Sequence, residues 1–367
     1  MRVNGIAYRT IWRPRDGCVA FIDQHLLPHR FRIEEVHTVE ALAEAIRTMR
    51  IRGAIALGAA AAYGMELAAA HASDSELRTA LAHAAELLIQ TRPTAVNIAW
   101  AVRTILTAVA GAETAQELRD RLRSAVDALI EAEVERCRRI GEHGAAVLER
   151  LFQQQGQAPL QILTHCNAGW LGCVDYGTAL SPIYLAAERG LPLHVWVSET
   201  RPRNQGAALT AWELQQSGIP YTVIVDSACG SLLQQGKVDI ALVGADRITR
   251  RGDTANKIGT YPKAVLCRFH GVPFYVAAPS SSFDPECADA ADIPIEERSP
   301  DEVHTVSGLC GDRYTTVRIT PEGAHAWNPS FDITPAEFIT GFITEYGVFP
   351  ATEEGVGELL AAADACC

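Results

Sequence analysis

The chain has 367 residues, of which 48% are hydrophobic, 21% charged and 7% aromatic. That is enough for about two domains and a substantial core, and it excludes a disordered, collagenous or coiled-coil polymer. The 44 Asp+Glu against 32 Lys+Arg leave a net charge of -12, the wrong sign for wrapping nucleic acid, although a local basic cluster can still hold one phosphate.

Met1-Arg2-Val3-Asn4-Gly5 leads into the chain without a long apolar run or small-residue cleavage site, so no signal peptide is expected and a cytoplasmic location is. Residues 6–12 and 18–23 flank the turn signal Pro14-Arg15-Asp16-Gly17 and predict a short β-hairpin. Val39, Leu42, Ile46 and Met49 recur at helical spacing. So do Leu77, Leu81, Ala84 and Leu88, for which Ser73 or Ser75 is the expected cap. Between them, residues 54–70 are mostly Ala and Gly with Glu66 inside, too weakly apolar for a membrane span. Residues 94–110 and 117–151 continue the helical pattern. The polar run Gln153-Gln154-Gln155-Gly156-Gln157-Ala158-Pro159 predicts a boundary, with a mostly helical N-terminal domain over 1–152 and a second domain over 153–367.

In the second domain, short β-rich runs at 161–164, 194–197, 222–225, 239–243 and 274–277 alternate with helical patterns such as 207–216 and 263–270. This predicts α/β architecture, with a parallel sheet covered on both faces. Ligands of such sheets bind beyond the carboxyl ends of the strands. Cys166, Glu199, Asp226 and Asp246 stand there.

Several loops combine cations with free backbone N–H groups. Arg52-Gly53-Ala54 precedes the Ala/Gly-rich helix, a geometry that suits a phosphate, or else Gly53 only permits a tight turn and Arg52 is solvated. Arg92-Pro93-Thr94 is similar, with a surface boundary as the plainer reading. Cys166 follows a buried strand and is expected to meet the N-terminus of a helix, whose field lowers a thiol pKa; the alternative is an inert core cysteine. His165 faces the other side of that strand and reads as a packed histidine. Asp246 is expected to be partly buried and able to donate a proton, or else to cap the next helix or pair with Arg247. Asn256 and Lys257 lie in a glycine-bounded run that reads as an anion cradle or a mere polar loop. Arg201, Arg203 and Gln205 in Glu199–Gly206 offer guanidiniums and an amide, or only a charged surface loop. Together these loops describe a phosphosugar site. No GxGxxG, Walker, HExxH or GxSxG motif and no CxxC pair among the ten cysteines occurs, so neither a nucleotide cofactor nor a metal, disulfide framework or zinc site is expected.

The segments IRGA, RPTAVN, ILTHCNAG, DYGTAL, ETRPRNQGAALTAWEL, VGADRI, GDTANKIGTY, PFYVAAP, IPIEER and NPSFDITP together resemble the methylthioribose-1-phosphate isomerase family, in order, from about residue 52 to residue 345. Its wider family includes ribose-1,5-bisphosphate isomerases and regulatory subunits of the eukaryotic initiation-factor nucleotide-exchange complex. The resemblance implies a Rossmann-like sheet behind a smaller N-terminal domain, usually in a homodimer, with Cys166 and Asp246 as catalytic residues. It implies Arg52, Gly53, Ala54, Arg92, Gln205, Asn256 and Lys257 as contacts of a phosphosugar substrate. The implied reaction converts 5-methylthio-ribose 1-phosphate into 5-methylthio-ribulose 1-phosphate in methionine salvage. The alternatives are a related isomerase for 5-deoxyribose 1-phosphate or ribose 1,5-bisphosphate, or a non-catalytic regulatory subunit. Three departures bear on the 5-substituent: Ile55-Ala56-Leu57-Gly58 after IRGA, Ser227-Ala228-Cys229-Gly230 after Asp226, and a loop over 304–317 that looks long.

Overall fold

The computed structural model describes residues 1–92, 95–156 and 159–365. Pro93 and Thr94 of the second cationic loop, Gln157 and Ala158 of the polar run, and Cys366 and Cys367 lie outside the described residues. Two compact units emerge, Met1–Cys137 with Trp170–Gly177, and Arg138–Gly169 with Thr178–Cys367.

In the first unit β1 (Arg2–Val3) pairs with β2 (Ile6–Ala7), and β3 (Ile11–Arg15) runs antiparallel to β4 (Cys18–Ile22), which also pairs with β5 (Ile33–Val36). The expected hairpin is therefore part of a three-stranded sheet. Every residue of β4 is buried, so it takes a neighbour on each edge, while Pro14 sits in edge strand β3, where a missing N–H costs nothing. Helices α1 (Val39–Arg47), α2 (Ala54–His71), α3 (Leu77–Ile89) and α4 (Val96–Val109) follow. The small residues of α2 let neighbours approach closely: a Cβ at Gly64 would come within 2.8 Å of Leu88. Leu42, Ile46, Leu57, Leu81, Leu88, Ile98 and Ile105 fill this core. Neither Ser73 nor Ser75 caps α3. Residue 76 takes that place because a single turn, Glu76 N–H to Ser73 O at 3.1 Å, precedes the helix, and the Ser73 hydroxyl donates to the Glu76 carboxylate instead.

Helix α5 (Ala115–Gln155) reaches into the start of the expected boundary run, and the compact units divide within the helix, between Cys137 and Arg138. The second unit continues with β6 (Leu160–Thr164), α6 (Ser181–Glu188), β7 (Leu193–Ser198), a π-helical turn Gly206–Thr210 leading into α7 (Ala211–Gln216), β8 (Tyr221–Ile224), α8 (Ala228–Gln234) and β9 (Ile240–Val243). After β10 (Arg247–Thr249), β11 (Thr254–Lys257), α9 (Thr260–His270), β12 (Phe274–Ala277) and β13 (Phe283–Asp284) come α10 (Asp301–His304), β14 (Thr305–Cys310), β15 (Arg313–Arg318), β16 (Phe331–Thr334), β17 (Gly341–Thr344), β18 (Gly347–Phe349) and α11 (Glu353–Asp364).

The main sheet has the order β18-β17-β12-β9-β6-β7-β8, parallel except for the closing β17–β18 pair. Its six parallel strands follow the doubly wound pattern 3-2-1-4-5-6, which reverses direction between β6 and β9. All four residues of β9 are buried, as a strand covered on both faces requires. The run around Asn256 and Lys257 is not a loop. It is strand β11 of a second sheet, β13-β10-β11-β16, in which Asn256 faces Asp332 and Lys257 faces Phe331 across the ladder; a four-residue polar strand leaves no apolar alternation to detect. Residues 304–317 form the end of α10 and the hairpin β14–β15. Among the described residues no helix is long and apolar enough to cross a membrane.

Candidate active site

Strands β6 and β9 are neighbours, with Ile162 opposite Ile240 and Leu163 opposite Ala241. The Thr164 hydroxyl also bonds the Leu242 carbonyl at 2.8 Å. Cys166 follows the first strand and Asp246 the second, so the fold delivers both to the point of reversal where such sheets bind ligands. Asp246 is half-buried, and its N–H donates to Ala255 O at 2.9 Å. The residue after it opens strand β10 rather than a helix, and the Arg247 guanidinium grips Asp284, lowering that carboxyl's pKa against the cost of its burial. The helix-capping reading of Asp246 thus falls, because no helix follows it.

Cys166 is half-buried and has φ +62°, a left-handed backbone rare outside glycine. Its thiol donates to Gln205 Oε1 at 3.4 Å. Cys166 does not itself lead into a helix, since the chain runs on to a 3-10 turn at Trp170–Gly172 and the next α-helix along it starts at Ser181; the helix start it meets is across the loop, at Gln205 before the π-helical turn Gly206–Thr210. Small residues after the strand support a turn as readily as a helix start, and the turn wins. His165 is fully buried, donates from Nε2 to Ile258 O at 2.8 Å, and has its pKa pushed down to about 3 by burial and then by the Lys263 ammonium. It is a neutral packed histidine, as its alternation with Cys166 predicts.

The loop over 199–206 is pinched shut by Gly206 and Ala207 N–H groups on the Glu199 carbonyl. A Cβ at Gly206 would lie 1.8 Å from Ser198 O, so only glycine fits. Gln205 faces Cys166, but the two guanidiniums serve structure. Arg201 donates to the carbonyls of Pro202 and Val303 at 2.8 and 2.9 Å, and Arg203 pairs with Glu302 at 2.8 Å. Asp226, a strand-end candidate, accepts the backbone N–H groups of Thr200 and Arg201 at 2.8 and 2.7 Å and a bond from the Ser198 hydroxyl. Burial alone would raise its pKa; these donors and the nearby Lys263 hold it below the usual carboxylate range. Buried Lys263, whose pKa burial lowers, donates to Gly259 O at 3.2 Å. Asp332 accepts from Gly259 and Tyr261 N–H at 2.7 and 3.1 Å, fastening the start of α9, while burial raises its pKa.

On β11 the Asn256 amide donates to the Thr260 hydroxyl at 3.0 Å, and the Lys257 ammonium donates to Ser330 O at 2.7 Å over the Phe331 ring. In the first unit, Gly53 has φ +96° and stands at the N-cap of α2, and a Cβ there would lie 2.2 Å from Gly172 O. Both constraints demand glycine. Arg52 before it is buried, Ala54 is the first helical residue, and Arg92 lies 3.6 Å from the Met49 sulfur. Among the described residues, Cys18, Glu35 and His37 of the first unit are the one group of side chains close enough to share a metal ion. Glu35 already accepts bonds from Arg15 and the Cys18 thiol. Sequence reasoning passed over Thr200, Thr210, Glu213, Lys263 and Asp332, since no period or motif marks a threonine or lysine whose partner lies in another loop.

The model of the initiation factor 2 subunit family matches residues 50–351. The chain is 47% identical over 365 residues to the methylthioribose-1-phosphate isomerase of Desulfatibacillum aliphaticivorans, with 98% of each chain covered. It is 50% identical over 356 residues to that of Methylocella silvestris, with 96% of each covered. The chain belongs to the methylthioribose-1-phosphate isomerase family. Among solved structures, 5-methylthioribose 1-phosphate isomerase from Pyrococcus horikoshii superposes with TM-score 0.86 at 40% identity, covering 97% of this chain and 96% of that one. Translation initiation factor eIF-2B subunit delta from A. fulgidus gives 0.82 at 43% identity, covering 97% of this chain and 100% of that one. The isomerase family thus accounts for nearly the whole length of the chain and for its doubly wound sheet.

Proposed function

We propose that this chain is the aldose–ketose isomerase that converts 5-methylthio-α-D-ribose 1-phosphate into 5-methylthio-D-ribulose 1-phosphate in methionine salvage. The observation that carries the reading is 47–50% identity along nearly the whole chain to isomerases of that name, in a fold that sets Cys166 and Asp246 on adjoining strand ends. The reading keeps residues 153–367 as the catalytic domain behind an N-terminal domain over 1–152, and takes the enzyme to be a cytoplasmic homodimer.

Phosphate on the anomeric oxygen prevents the sugar from opening by itself to a free aldehyde. Asp246, as acid, gives a proton to the ring oxygen while the bond from that oxygen to C1 breaks. Hydrogen then passes from C2 to C1, and the C2 hydroxyl returns a proton to Asp246 as it becomes the ketone, so the residue ends as it began. Cys166 lies beside C2, either as the base of an enediolate route or as a wall of a dry pocket for a hydride shift. The thiol's contact with Gln205 Oε1 is one that a wall residue can keep throughout the reaction, and on that geometry we take the second route. The reading assigns Arg52, Gly53, Ala54, Arg92, Gln205, Asn256 and Lys257 to the substrate and its phosphate.

The A. fulgidus likeness carries a rival in which the fold binds and does not catalyse. Incubating the pure protein with 5-methylthioribose 1-phosphate, 5-deoxyribose 1-phosphate and ribose 1,5-bisphosphate, and detecting the ketose, decides among them. Turnover of the methylthio sugar at the highest kcat/KM is the expected result. Ketose from none of the three overturns the enzymatic reading.

A further inference from the structure

We propose that Thr200 and Thr210 are positioning residues that hold the peptide unit of Cys166 in its left-handed conformation; the proposal rests on the reading of Cys166 as a residue beside the reacting carbons. The two hydroxyls grip opposite sides of one residue. Thr200 Oγ1 accepts the Cys166 N–H at 2.8 Å, and Thr210 Oγ1 donates to the Cys166 carbonyl at 2.7 Å. Cys166 at φ +62° occupies a region that a side chain with a Cβ avoids, and such a conformation persists only where its surroundings over-determine it.

Each threonine is itself held. Thr200 is β-branched and has φ +66°, an outlier for that residue type. It is kept there by Asp226, which takes the N–H groups of Thr200 and Arg201, while its own hydroxyl proton is shared between Ser198 O at 2.9 Å and His165 Nδ1 at 3.3 Å. With that proton spent, the Thr200 oxygen is left to accept from Cys166. On the other side, Thr210 accepts from the Asn167 amide at 3.2 Å, and the same amide donates to Glu213, which also takes the Tyr184 hydroxyl at 2.6 Å. Thr200, Thr210, Asn167 and Glu213 are all buried, so water does not compete for these bonds and a lost one stays lost. Both anchors end in carboxylates, Asp226 and Glu213, placed where no substrate contact is assigned. Their use is to fix where the Cys166 sulfur points.

The test compares Thr200→Val and Thr210→Val, which keep the shape and delete the hydroxyl, with Thr200→Ser and Thr210→Ser, which keep the hydroxyl and delete a methyl. Thr200→Ala and Thr210→Ala serve where valine prevents folding, since alanine sets no methyl against the Cys166 peptide. In the folded variants lacking the hydroxyl, kcat falls about 10-fold to 100-fold, the scale of a displaced reacting group, with KM within about threefold. The serine variants stay within about threefold of wild type in both constants. A second reading does not depend on turnover. Alkylation of Cys166 by iodoacetamide, followed by peptide mass spectrometry with exposed Cys310 as internal reference, speeds up about threefold to tenfold when a hydroxyl is lost, because the relaxed loop frees the thiol from Gln205. Unchanged Cys166 alkylation in the variants lacking the hydroxyl overturns the clamp whatever turnover does. So do serine variants as impaired as the valine ones, since packing of the methyl would then be what matters. Cys166→Ala with wild-type turnover overturns instead the role given to Cys166.

Discussion

Cys166 and Asp246 emerge from two hydrogen-bonded neighbouring strands, at the single place where the parallel sheet reverses its winding. The two residues are 80 positions apart in the chain, yet their relative placement follows from strand order, because each lies a few residues beyond a buried strand whose register with the other is fixed. Chemistry that needs a proton donor and a sulfur on one substrate is well served by such a pair.

Asp246→Asn keeps the shape and hydrogen bonding of the side chain and removes its transferable proton. Its kcat should fall by about 10²–10⁴-fold, the usual worth of general acid–base catalysis, with KM little changed. Near-wild-type kcat in a variant with the native circular dichroism spectrum would show that the acid is another residue.

Lys257→Ala and Arg52→Ala should act on binding. A charge-assisted phosphate hydrogen bond is worth about 1.5–3 kcal/mol, or about 10-fold to 150-fold in kcat/KM, felt mainly through KM. Lys257 is already oriented, its ammonium bonded to Ser330 O and lying 4.9 Å from the Phe331 ring centroid, so little freedom is lost on meeting a phosphate. Steady-state constants unchanged in both variants would place the phosphate elsewhere.

Those two sites illustrate what could be read from the chain. The runs at 161–164 and 274–277 became β6 and β12 almost residue for residue, because a strand buried on both faces is a short apolar block and its end is a good guess at a site. That rule reached Cys166, Asp226 and Asp246. Lys257 was singled out through its neighbours rather than its structure, since a short polar strand of a second sheet carries no periodic signal. Arg201 and Arg203 show a related limit: a guanidinium in a loop looks the same in sequence whether or not protein groups engage it, and here the two bond Val303 O and Glu302. Thr200 and Thr210 were invisible, because left-handed backbone and bonds between loops are decided by tertiary context.

Turnover should survive exhaustive treatment with EDTA and need no added nicotinamide. The sequence holds no dinucleotide fingerprint, and the Cys18, Glu35 and His37 group sits on the small sheet of the first unit, where Arg15 pairs with Glu35 at 2.6 Å. Activity lost to the chelator and restored by one divalent metal would contradict this.

Glu302 gives the fold a measurable acid sensitivity. Although burial opposes its charge, Arg298 and then Arg203 hold its pKa down to about 2, against an ordinary 4.5. Above pH 4.5 the carboxylate is charged in both folded and unfolded chains, and the ion pairs contribute fully. As pH falls from 4.5 towards 2 the unfolded chain takes up the proton first, and the contribution disappears. Discounted for solvent screening, it is about 2 kcal/mol. Chemical denaturation should therefore find Glu302→Gln less stable than wild type by about that amount at pH 7, with the gap closing towards pH 2. A gap independent of pH would assign the loss to packing.

The route of the hydrogen is the sharpest question the site poses. If Cys166 is a base, Cys166→Ser should lose activity as severely as Asp246→Asn, because a hydroxyl is far harder to deprotonate than a thiol. The structure argues for a milder loss. The thiol donates to Gln205 Oε1 at 3.4 Å, and a serine hydroxyl would make the same bond. A hydride shift asks only that the wall stay dry. Running the wild-type reaction in heavy water reads the route from the product: a base exchanging with solvent leaves deuterium at C1, whereas a direct shift keeps the hydrogen that began on C2. We expect little deuterium and a Cys166→Ser loss smaller than that of Asp246→Asn. Deuterium at C1 together with a Cys166→Ser loss matching Asp246→Asn would establish the enediolate route and make Cys166 its base.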